Sequence, residues 1–117
     1  MVRVYVAGPY SDDPEGHTRN AIEVADCLWE LGYVPFVPHL THFWHIISPK
    51  SYEAWLEYDA KWLVICDIVL RLPGRSIGAD AETQLAVQQR LPVVYTIEEL
   101  KERFPIQGKT GLRREHV

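Results

Sequence analysis

Three carboxylates, Asp59, Asp80 and Glu82, fall on or beside segments whose apolar residues recur at helical spacing. Glu82 belongs to the first or second turn of a helix that opens behind the loop Pro73-Gly74-Arg75-Ser76, where the helix dipole favours an anion. Two carboxylates facing one crevice suit glycosidic-bond chemistry. One attacks or stabilises an oxocarbenium-like carbon and the other protonates the leaving group. An acid at a helix start also occurs as a surface residue that only satisfies the dipole, so position in the fold must decide between the two. Ser76 suits an N-cap, and with Gly78 and Arg75 it begins a helix whose free N–H groups can receive an anion. The run His39-x-x-His42-x-x-His45 offers three imidazoles, but its three-residue step is not a tetrahedral ligand pattern and no cysteine or carboxylate completes it. No metal and no cofactor are expected. Gly108-Lys109-Thr110 lacks both the first glycine of a phosphate-binding loop, whose place Arg103 takes, and a preceding strand.

The elements that must position these groups follow from punctuation and period. Val2 to Val6 is a β-branched strand closed by Gly8-Pro9, and Tyr10 to His17 is a polar loop. From Thr18 the residues Ala21, Ile22, Ala25, Leu28 and Trp29 predict a helix that Gly32 ends. Tyr33 to Val37 is a second strand stopped by Pro38, and His39 to Ile47 is expected to be an aromatic loop. Ser48-Pro49 suits a cap and first-turn proline for a helix running to Val64. Ile68 to Leu72 is a third strand, Gly78 to Gln89 a helix, and Leu91 to Tyr95 a fourth strand. Thr96 with Glu99 makes a capping box for a last helix over 97–104. Alternating strands and helices with right-handed crossovers predict an α/β, Rossmann-like (flavodoxin-like) three-layer sandwich with a mainly parallel sheet of four or five strands. Its ligand crevice then lies at the carboxyl ends of the strands, where Gly8, Pro9, Tyr10, His39, Ser76 and Gly78 converge as substrate-binding candidates.

The whole chain sets limits. With 117 residues, 47% of them hydrophobic, it has room for one domain (1–104) and a polar tail (105–117). A net charge of −4 argues against a nucleic-acid polymer as partner. The apolar runs are too short for a membrane span, and the first ten residues lack a signal-peptide pattern. Cys27 and Cys66 both lie in apolar segments, which suits free thiols in a reducing, cytoplasmic setting. Phe43 and Trp44 suit a lid or a contact between copies.

Three motifs carry a family resemblance. Val4-Tyr5-Val6-Ala7-Gly8-Pro9-Tyr10 resembles the opening of the nucleoside 2-deoxyribosyltransferase superfamily, which includes the 2'-deoxynucleoside 5'-monophosphate N-glycosidases. Asp59-x-x-Trp62-Leu63-x-x-x-Asp67 is similar to the helix-strand stretch of those glycosidases, and Ser76-x-Gly78-x-x-x-Glu82 to their nucleophile segment. The chain also resembles a bacterial and phage branch that shares the Ala-Gly-Pro-Tyr opening. The resemblance covers residues 2 to about 95. It implies Glu82 as nucleophile, Asp59 as general acid and Tyr5 as the residue that orients Glu82. It further implies hydrolysis of the N-glycosidic bond of a small-molecule (deoxy)nucleoside 5'-monophosphate, with base exchange or a non-catalytic nucleotide-binding domain as the alternatives, and a homodimer or larger homo-oligomer. One departure stands out: where the glycosidases carry a polar, basic turn after the first strand, this chain has Pro9-Tyr10-Ser11-Asp12-Asp13, and the two acids repel a phosphate.

Overall fold

A computed structural model describes residues 1–106; Gly108-Lys109-Thr110 and most of the tail lie outside the described residues. Strand β1 (Arg3–Ala7) leads into helix α1 (Pro14–Leu31), strand β2 (Val34–Phe36), a single 3-10 turn over Pro38–Thr41 and helix α2 (His42–Ile47). Helix α3 (Tyr52–Leu63), strand β3 (Ile68–Arg71), helix α4 (Ile77–Gln88), strand β4 (Val93–Val94) and helix α5 (Ile97–Arg103) follow.

The helix termini show why these boundaries hold. Helix α1 starts four residues earlier than its apolar period, because Asp13 caps Gly16 N–H and Pro14 occupies the first turn, where its missing donor costs nothing. It ends on Gly32 at φ 100°, a left-handed conformation that glycine adopts without a Cβ penalty. The segment expected to be an aromatic loop is instead the 3-10 turn running into α2. Ser48 does not open the next helix. Its N–H closes α2 on the Trp44 carbonyl, and Ser51 caps α3 by accepting from Ala54 N–H at 3.0 Å. Pro49 therefore separates two helices. The second strand starts after Tyr33, whose N–H is spent on the Leu28 carbonyl of α1, and the fourth is shorter than its apolar run because Leu91 N–H is spent on the Ala86 carbonyl behind α4 and Pro92 brings no donor.

All strand pairs are parallel and the order is β2-β1-β3-β4. The period of two splits β1 between faces. Val4 and Val6 enter a core with Ala21, Leu28, Ile68, Leu70, Val94 and Leu100 under α1 and α5. Tyr5 and Ala7 enter the opposite core with Leu63, Val69, Ala79 and Ala86 under α3 and α4. Burying each of these larger aliphatic side chains contributes about 2 kcal/mol. The chain leaves β1 toward β2 on one side and returns to β3 on the other, so the loops after β1 and β3 part at a crevice. Those loops touch: a Cβ on Gly74, whose φ is 116°, would lie 2.8 Å from Pro9 Cγ. None of the described helices is long and apolar enough to cross a membrane.

Candidate active site

Tyr5 points from β1 toward α4 because odd positions of the strand face that layer. Its hydroxyl, fully buried, donates to Glu82 Oε2 at 2.5 Å. Glu82 is only 8% exposed, so it is not the solvated helix-start acid of the surface alternative. Burial raises its carboxyl to about 8; the Tyr5 hydrogen bond opposes this, the charge of Asp59 adds to it, and the charge of Arg71 opposes it. Burial likewise holds the Tyr5 phenol well above its ordinary value, assisted by Glu82 and Asp59, which keeps it a donor.

Asp59 projects from α3 into the same field. Burial raises it to about 7, and its Oδ1 is buried without a hydrogen-bond partner among the described residues. A buried acceptor left unmatched is costly unless a ligand or a proton serves it. Asp80 is separate: its side chain is 70% exposed and pairs with Arg71 at 2.9 Å.

The remaining candidates group differently. Gly8 and Pro9 are buried at the end of β1, and a Cβ on Gly8 would press to 3.1 Å of Leu72. His39 Nε2 lies 2.9 Å from the Pro9 carbonyl, to which it donates, and burial lowers its affinity for a second proton. Tyr10 stands edge-on to His39 and His42 and bonds His42 Nδ1 at 2.5 Å. These four candidates form one wall. Ser76 Oγ accepts from Ala79 N–H at 3.0 Å as the cap of α4, and a Cβ on Gly78 would lie 3.3 Å from the Tyr52 hydroxyl. Ser76 and Gly78 thus shape the start of α4, opposite α3. No group of three His, Cys, Asp or Glu among the described residues is arranged to hold a metal ion.

Sequence reasoning passed over Arg71. It ends the apolar strand Ile68–Arg71, pairs in register with Ala7, and is buried on the Tyr5 face. The available signal was a lone cation two residues after Val69, on the same side of the strand. A cavity of about 470 Å³ opens beside it, lined by Arg71, Gly74, Asp80, Thr83, Tyr95 and Thr96. A smaller one of about 180 Å³, lined by Val34, Phe36, Trp62 and Ile65 around Arg3, sits toward the start of β1 and offers no acid-base pair.

Residues 2–95 match the family described as a domain of unknown function, DUF4406. The chain belongs to that family. No curated protein matches this DUF4406 chain. Among solved structures, it is similar to a 2-desoxiribosyltransferase from Leishmania mexicana, with a TM-score of 0.62 and 17% identity over 81% of this chain. The DUF4406 chain spans 63% of that protein's length. At this identity the likeness establishes a shared Rossmann-like fold.

Proposed function

We propose that this DUF4406 protein cleaves the N-glycosidic bond of a nucleoside, with Glu82 as nucleophile, Asp59 as general acid and Tyr5 orienting Glu82. The observation that supports this most is the buried Tyr5–Glu82 hydrogen bond in the same field as a partly buried Asp59 with an unserved oxygen. In the first step a Glu82 oxygen bonds to the anomeric carbon as the carbon–nitrogen bond breaks, and the Asp59 proton passes to the departing base. In the second step Asp59, now ionised, takes a proton from the acceptor, which displaces Glu82 from the sugar. Water as acceptor makes the enzyme a hydrolase, our leading reading. A second nucleobase makes it a transferase, the activity named for the Leishmania mexicana protein of similar fold. Gly8, Pro9, Tyr10 and His39 form one side of the substrate site in this reading, and Ser76 and Gly78 the other.

Between a nucleoside and its 5'-monophosphate, the local charges favour the nucleoside. The turn after β1 carries Asp12 and Asp13, the cap of α4 is filled by Ser76, and Asp80 stands in its first turn. The same reading includes a second copy of the chain, packed on the aromatic face of α2 and α3.

The test is a panel of nucleosides and 5'-monophosphates, with and without added free base, followed by chromatography of the bases. Release of base without an acceptor is expected, with nucleosides preferred. Glu82→Ala should lower turnover by at least about 10⁴-fold, as removal of a nucleophile does, and Asp59→Asn by about 10²- to 10⁴-fold. Binding without turnover on any substrate would replace this reading with a non-catalytic nucleotide-binding domain.

A further inference from the structure

Arg71 is the one buried Lys or Arg among the described residues, and the proposed reaction leaves it without a role. Its side chain is 10% exposed. It is held on three sides: Nη1 donates to the Leu72 carbonyl, and Nη2 donates to the Gly74 carbonyl at 3.0 Å and to Asp80 Oδ1 at 2.9 Å. Those bonds span the turn after β3 and the first turn of α4, so the guanidinium cannot swing away without releasing both. The strand register places it beside Ala7, on the face where Tyr5 meets Glu82. Asp80 and Thr83, which line its cavity, lie two residues before and one after Glu82 on α4 and so project from other faces of the helix. A buried arginine is costly to desolvate, and its carbonyl and carboxylate partners offset only part of that. Its place on the same sheet face as Tyr5, within charge range of the buried Glu82 carboxyl that Tyr5 bonds, supplies a reason for it.

We propose that Arg71 is a positioning residue for Glu82: a fixed positive charge, clamped by the Leu72–Gly74 turn and Asp80, that keeps the Glu82 carboxylate ionisable inside the core. As a statement about catalysis this rests on the N-glycosidic reading above; as a statement about Glu82 it does not. The groups that face Glu82 are Tyr5 from β1, Asp59 from α3 and Arg71 from β3, with Asp80 of its own helix reaching Arg71. Tyr5 stabilises the ionised form by a hydrogen bond and Asp59 opposes it by charge, so Arg71 is the compensating cation. Removing its charge and removing the charge of Asp80 must therefore move Glu82 in opposite directions.

The experiment follows the Glu82 side-chain carboxyl by carbon-13 NMR titration in the full chain, with Glu82→Gln identifying the signal. Arg71→Met should raise the midpoint by about one pH unit or more, and Arg71→Lys should recover most of that shift. Asp80→Asn, at an exposed side chain, should lower the midpoint. A midpoint unmoved in Arg71→Met, or an Asp80→Asn shift in the same direction as Arg71→Met, overturns the proposal. Should Arg71→Met fail to fold by circular dichroism, Asp80→Asn decides alone, and an unmoved or raised midpoint in it is the overturning result. Opposed shifts in a protein that turns over no nucleoside would retain Arg71 as the setter of Glu82 and remove the N-glycosidic reading. Turnover with unshifted midpoints would do the reverse.

Discussion

At the scale of single residues, the site is defined by protons. The nucleophile assigned to Glu82 must be ionised, and its carboxyl is raised to about 8, so the competent fraction grows as pH climbs through 7 toward 8. The acid assigned to Asp59 must hold its proton, and with its carboxyl raised to about 7 that fraction falls over the same range. The rate of base release should therefore be bell-shaped, with its maximum between pH 7 and 8 and a roughly tenfold fall per unit on either limb. Steady-state rates from pH 5 to 10 check this, and a flat profile below pH 7 would remove Glu82 as the ionising nucleophile. The same protons have a stability consequence. Below about 4.5 Glu82 is protonated in folded and unfolded chains alike; between there and about 8 the folded chain keeps a proton that the unfolded chain has lost. The unfolded state binds fewer protons in that window, so this contribution to stability declines as pH rises. Glu82→Gln removes the dependence. In urea titrations at pH 5 and pH 8 the variant should gain on the parent by a few kcal/mol at the higher pH, the size of a shift of this order.

At the scale of elements, the site depends on loops that hold strand ends together. Gly74 sits at φ 116° with Pro9 where its Cβ would be, and its carbonyl receives Arg71. Gly74→Ala should destabilise the fold by about 1 to 3 kcal/mol through backbone strain and the clash with Pro9, measured by chemical denaturation. It should also lower turnover beyond its effect on stability, because the clash parts the loops on either side of the crevice. The helix caps act at this level too. Asp13, Ser51, Ser76 and Thr96 each accept a backbone N–H, and Ser76 fixes where α4 begins and so where Glu82 falls along it.

At the scale of the molecule, a chain of contacting rings runs outward from the site. Tyr5 packs on Phe36, Phe36 stacks on Trp62 at 5.3 Å, and Trp62 continues through Tyr58 and Trp55 to Trp44. Its outer end is open, with Phe43 71% and Ile47 76% exposed. Such a face suits a second copy of this chain, because α3 carries Glu53 and Glu57 toward its start and Lys61 toward its end. Two antiparallel α3 helices would set unlike charges opposite one another. Sedimentation equilibrium should show a dimer, weakened by Lys61→Glu and restored by the swapped pair Glu57→Lys with Lys61→Glu; a monomer at all concentrations would refute this face as a contact.

By itself the sequence determined the layered α/β fold, because apolar periods of two and of 3.6 and the residues that end them act locally. The strands β1 and β3 and the helices α4 and α5 could be read almost to the residue. The sequence did not determine where α1, α2 and α3 begin: Asp13, Ser48 and Ser51 are all competent caps, and only packing chose Asp13 and Ser51 as caps of helix starts and Ser48 as the end of α2. For the site, the sequence supplied the types and spacing of Tyr5, Asp59 and Glu82 but not their surroundings. The tertiary structure decided that Glu82 is buried, that Tyr5 donates to it from 77 residues away in the chain, and that Arg71, held by Asp80, brings its charge to the same sheet face. Burial and charge proximity arise from contacts remote in sequence, and those contacts set the protonation on which the proposed chemistry depends.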